Sequence, residues 1–91
     1  MNDSYFHALV KAYAARKGFQ MAQGKDALLF AVTELAEVID AHMRMDPTWK
    51  RNHTKFVDVE EELADLMMMI FAYSDSMSIN PLEALERKLT R

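Results

Sequence analysis

The chain has 91 residues, no cysteine, and 14 acidic against 11 basic side chains, for a formal charge of −3. That length makes one small domain, 1–91, whose single core is marginal, so burial against another copy of the chain is expected. The absence of cysteine excludes a disulfide scaffold, thiolate metal ligands and a cysteine nucleophile, and agrees with a reducing compartment, for which the cytoplasm is the default. The N-terminus has no basic region followed by an apolar run, and no stretch approaches the roughly 18 apolar residues of a membrane span. With four clustered carboxylates set aside, ten acids face eleven bases, so the acidity is local. No basic stripe follows the chain, which argues against a nucleic-acid binder.

Two glycines, two prolines and no alternating β-branched run predict an all-α chain of about four helices, a small antiparallel bundle completed by oligomerisation. The first is expected from about Ser4 to Lys17, with Phe6, Leu9, Val10 and Tyr13 on one face, Asp3 or Ser4 as cap and Gly18 as stop. The second, about Asp26 to Met45, carries Leu28, Val32, Leu35, Ile39 and Met43 as its core stripe and is ended by Pro47. Lys50, Arg51 and Lys55 fall near the turn that follows, together with Trp49 and His53. The basic residues either reach a phosphate or form a solvated basic loop; Trp49 and His53 either stack on a base and read its edge, or the tryptophan packs against its own domain or an oligomer neighbour. The third helix, from Thr54 or Lys55 to Met77, holds Phe56, Val59, Leu63, Leu66, Ile70, Tyr73 and Met77 in alternating steps of three and four. Met67, Met68, Met69 and Phe71 extend its apolar surface nearly all round, so it should be covered on several sides. The fourth starts at Asn80-Pro81, where asparagine caps, proline suits the first helical position and Glu83 is placed to close a capping box.

Two carboxylate pairs carry the chemistry. Glu34 and Glu37 lie three apart on the second helix, and Glu62 and Asp65 three apart on the third, so each pair shares a face. The numbers of opposed residues, 34 with 65 and 37 with 62, both sum to 99. An antiparallel hairpin turning near Trp49 and Lys50 therefore brings all four acids together. A lone ExxE is usually solvated surface, but two pairs in matched register beside apolar stripes place repelling charges near a helix contact. Protonation or a bound cation relieves such repulsion. The cluster has no histidine, unlike a di-iron bundle. All-oxygen ligation suits Mg²⁺, with Mn²⁺ possible, and Mg²⁺ commonly shares its shell with substrate phosphates.

At these residues the sequence resembles the MazG-like members of the all-α nucleoside triphosphate pyrophosphohydrolase superfamily, whose pattern is ExxE, a spacer, then ExxD. The likeness runs through Glu34-Leu-Ala-Glu37-Val-Ile-Asp-Ala, Val59-Glu-Glu-Glu-Leu-Ala-Asp65-Leu and Ile79-Asn-Pro-Leu-Glu-Ala-Leu-Glu-Arg-Lys88-Leu, roughly from Lys25 onward. It implies Mg²⁺-dependent cleavage of a nucleoside triphosphate into the monophosphate and pyrophosphate, with Glu34, Glu37, Glu62 and Asp65 as metal ligands. Glu61, four residues before Asp65, would orient the attacking water or hold a second ion; otherwise it is an ordinary exposed glutamate. Lys88 occupies the family's lysine position and would contact phosphate, although a cation near a helix C-terminus is favourable in any case. Family members often carry an asparagine four residues beyond that lysine, a position that falls after Arg91 here, so that residue is dispensable or the phosphate contacts differ. Related acidic motifs occur in phosphoribosyl-ATP pyrophosphohydrolases of histidine synthesis. A non-catalytic helical interaction module is the alternative from another class.

Overall fold

The computed structural model describes residues 3–18, 20–45 and 58–91, the side chains of Asp3 and Ser4 excepted. Among these residues the chain is all-helical, with α1 at Asp3–Lys17, α2 at Gly24–Met45, α3 at Val59–Ser76 and α4 at Pro81–Leu89. None of these helices is long and apolar enough to cross a membrane.

Local chemistry accounts for the ends. Gly18 closes α1 at φ +77, its N–H donating to the Ala14 carbonyl at 2.9 Å, a left-handed cap. Helix α2 starts two residues earlier than the apolar pattern implied, at Gly24. Its N–H donates to Ser76 Oγ at 2.9 Å, and its φ of +53 admits this approach without a steric penalty. Helix α3 starts at Val59, later than the Thr54 or Lys55 expected. The Asp58 side chain accepts the Glu61 N–H at 3.1 Å, which makes Asp58 the cap, and three glutamates in the first turn complement the helix dipole. The far end of α3 closes in a Schellman motif. Ser78 takes φ 56 and donates to Asp75, while the Ile79 N–H donates to the Ser74 carbonyl at 2.8 Å. Asn80 caps α4 as expected, accepting from the Glu83 N–H at 2.9 Å. The Glu83 carboxylate does not complete the box; it pairs with Arg87 at 2.8 Å, one turn along. Pro47, Trp49, Lys50, Arg51, His53, Lys55 and Phe56 lie outside the described residues.

The Gly24–Ser76 bond ties the start of α2 to the end of α3, so the two helices run antiparallel, and their contact dominates the packing. Helix α1 lies on α3: Phe6 stacks on Phe71 with ring centroids 5.7 Å apart, and Asp75 meets His7 Nδ1 at 3.5 Å and Lys11 Nζ at 3.6 Å. Helix α4 touches α1 and α3 but not α2.

The expected core faces are rotated. On α2 the stripe Leu28, Val32, Leu35 and Ile39 is 47, 66, 47 and 55 % exposed, while Ala27 and Ala41 are buried and Ala31, Glu34 and Val38 are half-buried. The buried stripe is thus 27, 31, 34, 38 and 41, one residue or about 100° round from the one with the largest side chains. Small side chains there let the helices approach closely. On α3 the expected stripe is split: Leu63, Ile70 and Met77 are exposed and Val59, Leu66 and Tyr73 half-buried, while Phe71, Ala72 and Ser74 are buried. On α1, Phe6 and Leu9 are exposed, Val10 and Tyr13 half-buried, and Ala14 buried.

Candidate metal centre

Carried along the hairpin, the sum of 99 sets Ala27 at the level of Ala72, both buried, Phe30 at that of Met69, Glu34 at that of Asp65 and Glu37 at that of Glu62, within one residue of the Gly24–Ser76 bond. Helices α2 and α3 therefore present, from the Gly24–Ser76 tie toward the other end, a small pair, an apolar pair and two acidic pairs. One carboxylate oxygen from each of Glu34, Glu62 and Asp65 falls within 4.8 Å of the others. Glu37 is exposed and falls outside this trio, near enough for its charge to act on all three. Three of the four acids of the sequence pattern thus converge, with the fourth beside them.

The charges are uncomfortable there. Burial first, then the charge and hydrogen bond of Glu37, then the charges of Asp65 and Glu62 raise the Glu34 carboxyl from 4.5 to about 7. Glu62 is raised by burial, then by the hydrogen bond and charge of Glu37, with smaller contributions from Asp65 and Glu61. Asp65 is raised by burial and then by the charge of Glu37. Every contribution to these three shifts is upward. Glu34 Oε2 and Glu62 Oε2 are moreover buried without a hydrogen-bond partner. Two orphaned carboxylate oxygens within an all-oxygen donor set are what a hard divalent cation satisfies. The residues fit such an ion.

The other sequence candidates stand further out. Glu61 is exposed on the first turn of α3, its backbone engaged by the Asp58 cap. Lys88 is exposed on α4, the helix that does not touch α2.

Beside the acids opens a cavity of about 420 Å³ that sequence reasoning missed. Glu34 and Asp65 form one side, and Tyr13, Phe30, Met68 and Met69 contribute apolar walls. Phe30 is four residues before Glu34 and Met69 four after Asp65, so the periodicity that selected the acids could have selected these two as well. Met69 reads in the sequence only as packing surface of the third helix, and Phe30 is not singled out. Arg16 and Lys17 lie 5.9 and 5.7 Å from the Tyr13 ring centroid. In comparisons with known proteins, the chain matches no family model, no curated protein and no solved structure.

Proposed function

We propose that the chain is a MazG-like, Mg²⁺-dependent nucleoside triphosphate pyrophosphohydrolase, active as a cytoplasmic homodimer or homotetramer in nucleotide metabolism. The observation that carries the reading is the carboxylate cage, with its register-matched acids and the partnerless oxygens of Glu34 and Glu62. Glu34, Glu37, Glu62 and Asp65 hold the ion, and two rigid helices fix their positions before substrate arrives. When bound, Mg²⁺ supplies positive charge to phosphoryl oxygens and acidifies water in its shell. The residues that hold it set where the triphosphate lies, because phosphoryl transfer is mainly positioning and electrostatic stabilisation. Water adds at phosphorus, the α–β anhydride bond breaks, and pyrophosphate leaves. Glu61, beside Glu62 on the outer side of the turn, would orient that water or hold a second ion. Lys88, remote from α2 in its own chain, would serve phosphate across a subunit boundary.

The test is pyrophosphate release from a panel of ribo- and deoxyribonucleoside triphosphates, with phosphoribosyl-ATP included, in Mg²⁺. Glu37→Ala and Asp65→Ala should each lower turnover at least about 100-fold while far-ultraviolet circular dichroism is unchanged, since each removes a ligand and relieves repulsion. Undiminished turnover in both variants rejects the site. Release from phosphoribosyl-ATP alone moves the assignment to histidine synthesis, and no release from any member favours the interaction module.

A further inference from the structure

We infer that α1 is a separable cover, a helix that leaves and re-docks as a unit while α2 and α3 stay paired, latched by Asp75 to His7 and Lys11. Little apolar surface holds it down. Helix α1 has no close contact with α2, and α4, which it touches, buries no residue of its own. Apolar character is spread round α1 and not gathered on one side, so no continuous stripe seals it to α3. Its anchors are the buried Ala14, the Phe6–Phe71 stack and the edge of the His7 ring against Phe71, with centroids 5.5 Å apart. Segments with so little burial open at a lower free energy than the whole domain. Gly18 ends the helix at φ +77 in open space, and residues 20–23 are not helical, so α1 moves without unwinding α2.

The latch is polar. Asp75 meets α1 with both carboxylate oxygens, Oδ1 at 3.5 Å from His7 Nδ1 and Oδ2 at 3.6 Å from Lys11 Nζ. His7 and Lys11 are one turn apart on the same face, so a single carboxylate fixes the axial position of α1. Asp75 is the next-to-last residue of α3, where a negative charge opposes the helix dipole, and the last turn of α3 contains no basic residue. Docking of α1 therefore relieves a charge that α3 leaves uncompensated. Lys11 and Asp75 are both exposed, and contacts between exposed charges are individually weak, which suits a latch that releases. The position of α1 also matters to the acids. Tyr13 of α1 forms one wall of the cavity whose lining includes Glu34 and Asp65, so undocking removes that wall and opens the carboxylates to solvent from this side, whatever ligand the cavity takes.

The native chain has no cysteine, so single thiols at buried alanines report opening. Position 14 lies on α1 and position 41 on α2, at 3 and 2 % exposure. With dilute thiol reagent the labelling rate, relative to that in denaturant, follows the open population, and Ala14→Cys should label at least about tenfold faster than Ala41→Cys in the full chain. Adding Asp75→Asn should speed Ala14→Cys about fivefold and leave Ala41→Cys within about twofold. Lys11→Gln, which alters an exposed side chain on the other half of the latch, should act in the same direction and guards against a folding defect in the Asp75 variant. Equal labelling of the two thiols, acceleration of both to the same degree, or an Ala14→Cys rate unmoved by Asp75→Asn and by Lys11→Gln would each overturn the inference. Pyrophosphate release does not enter these outcomes, so they stand apart from the hydrolase reading.

Discussion

Glu34 carries a carboxyl that titrates near neutrality, at about 7, because burial and neighbouring acids disfavour its charge. A folded-state value above the ordinary 4.5 means that the folded chain holds this proton more tightly than the unfolded chain does. The stabilisation is complete below the unfolded pKa and is lost as pH rises through about 7. Glu62 and Asp65 shift in the same direction. In chelator the melting temperature should therefore fall between pH 5 and pH 8. Millimolar Mg²⁺ should restore it at pH 8 and do little at pH 5, since an ion that binds only the folded state stabilises by mass action and competes with protons. Glu34→Gln should flatten both responses. A melting temperature indifferent to Mg²⁺ at pH 8 would count against the cage. Ser78 presents a second residue-scale tension, a non-glycine side chain at φ 56 in the Schellman turn. Ser78→Gly should stabilise by roughly 1 kcal/mol, or about 4–8 °C, in thermal melts. No gain would show that the serine relieves its strain in another way.

At the scale of elements, the sequence was most legible where chemistry is local. Asn80-Pro81 placed the start of α4 correctly because a cap and a helix-compatible proline act within one turn. The registry of the two acidic pairs was legible from numbering alone, and the structure brings Glu34, Glu62 and Asp65 together with Glu37 exposed beside them. The start of α3 was misread because Phe56 continued an apolar rhythm, whereas Asp58 caps the helix. The face of α2 was misread for a different reason. Periodicity shows that Leu28, Val32, Leu35 and Ile39 form a stripe, but not whether that stripe turns toward the same chain or away from it. Close approach of α3 selects the alanine stripe, and the large residues point outward. The cavity walls were illegible for a related reason, since residues such as Phe30 and Met69 look like core until a cavity is seen beside them.

At the scale of the molecule, that outward stripe is the surface the proposed homodimer or homotetramer would cover. Exposed apolar patches of this kind are uncommon on monomers and usual at homo-oligomer interfaces, where a twofold axis lets one surface cover itself. On that proposal, the native chain should run as an oligomer in light scattering coupled to gel filtration, and aspartate in place of Val32, at the most exposed point of the stripe, should yield a monomer. A native chain that runs as a monomer at micromolar concentration would refute the oligomer. The hydrogen bond between Gly24 and Ser76 has a consequence of its own. It pins α2 to α3 at one end, next to the buried Ala27 and Ala72. Alignment of the two helices is thereby anchored at that end by residues of the helices themselves.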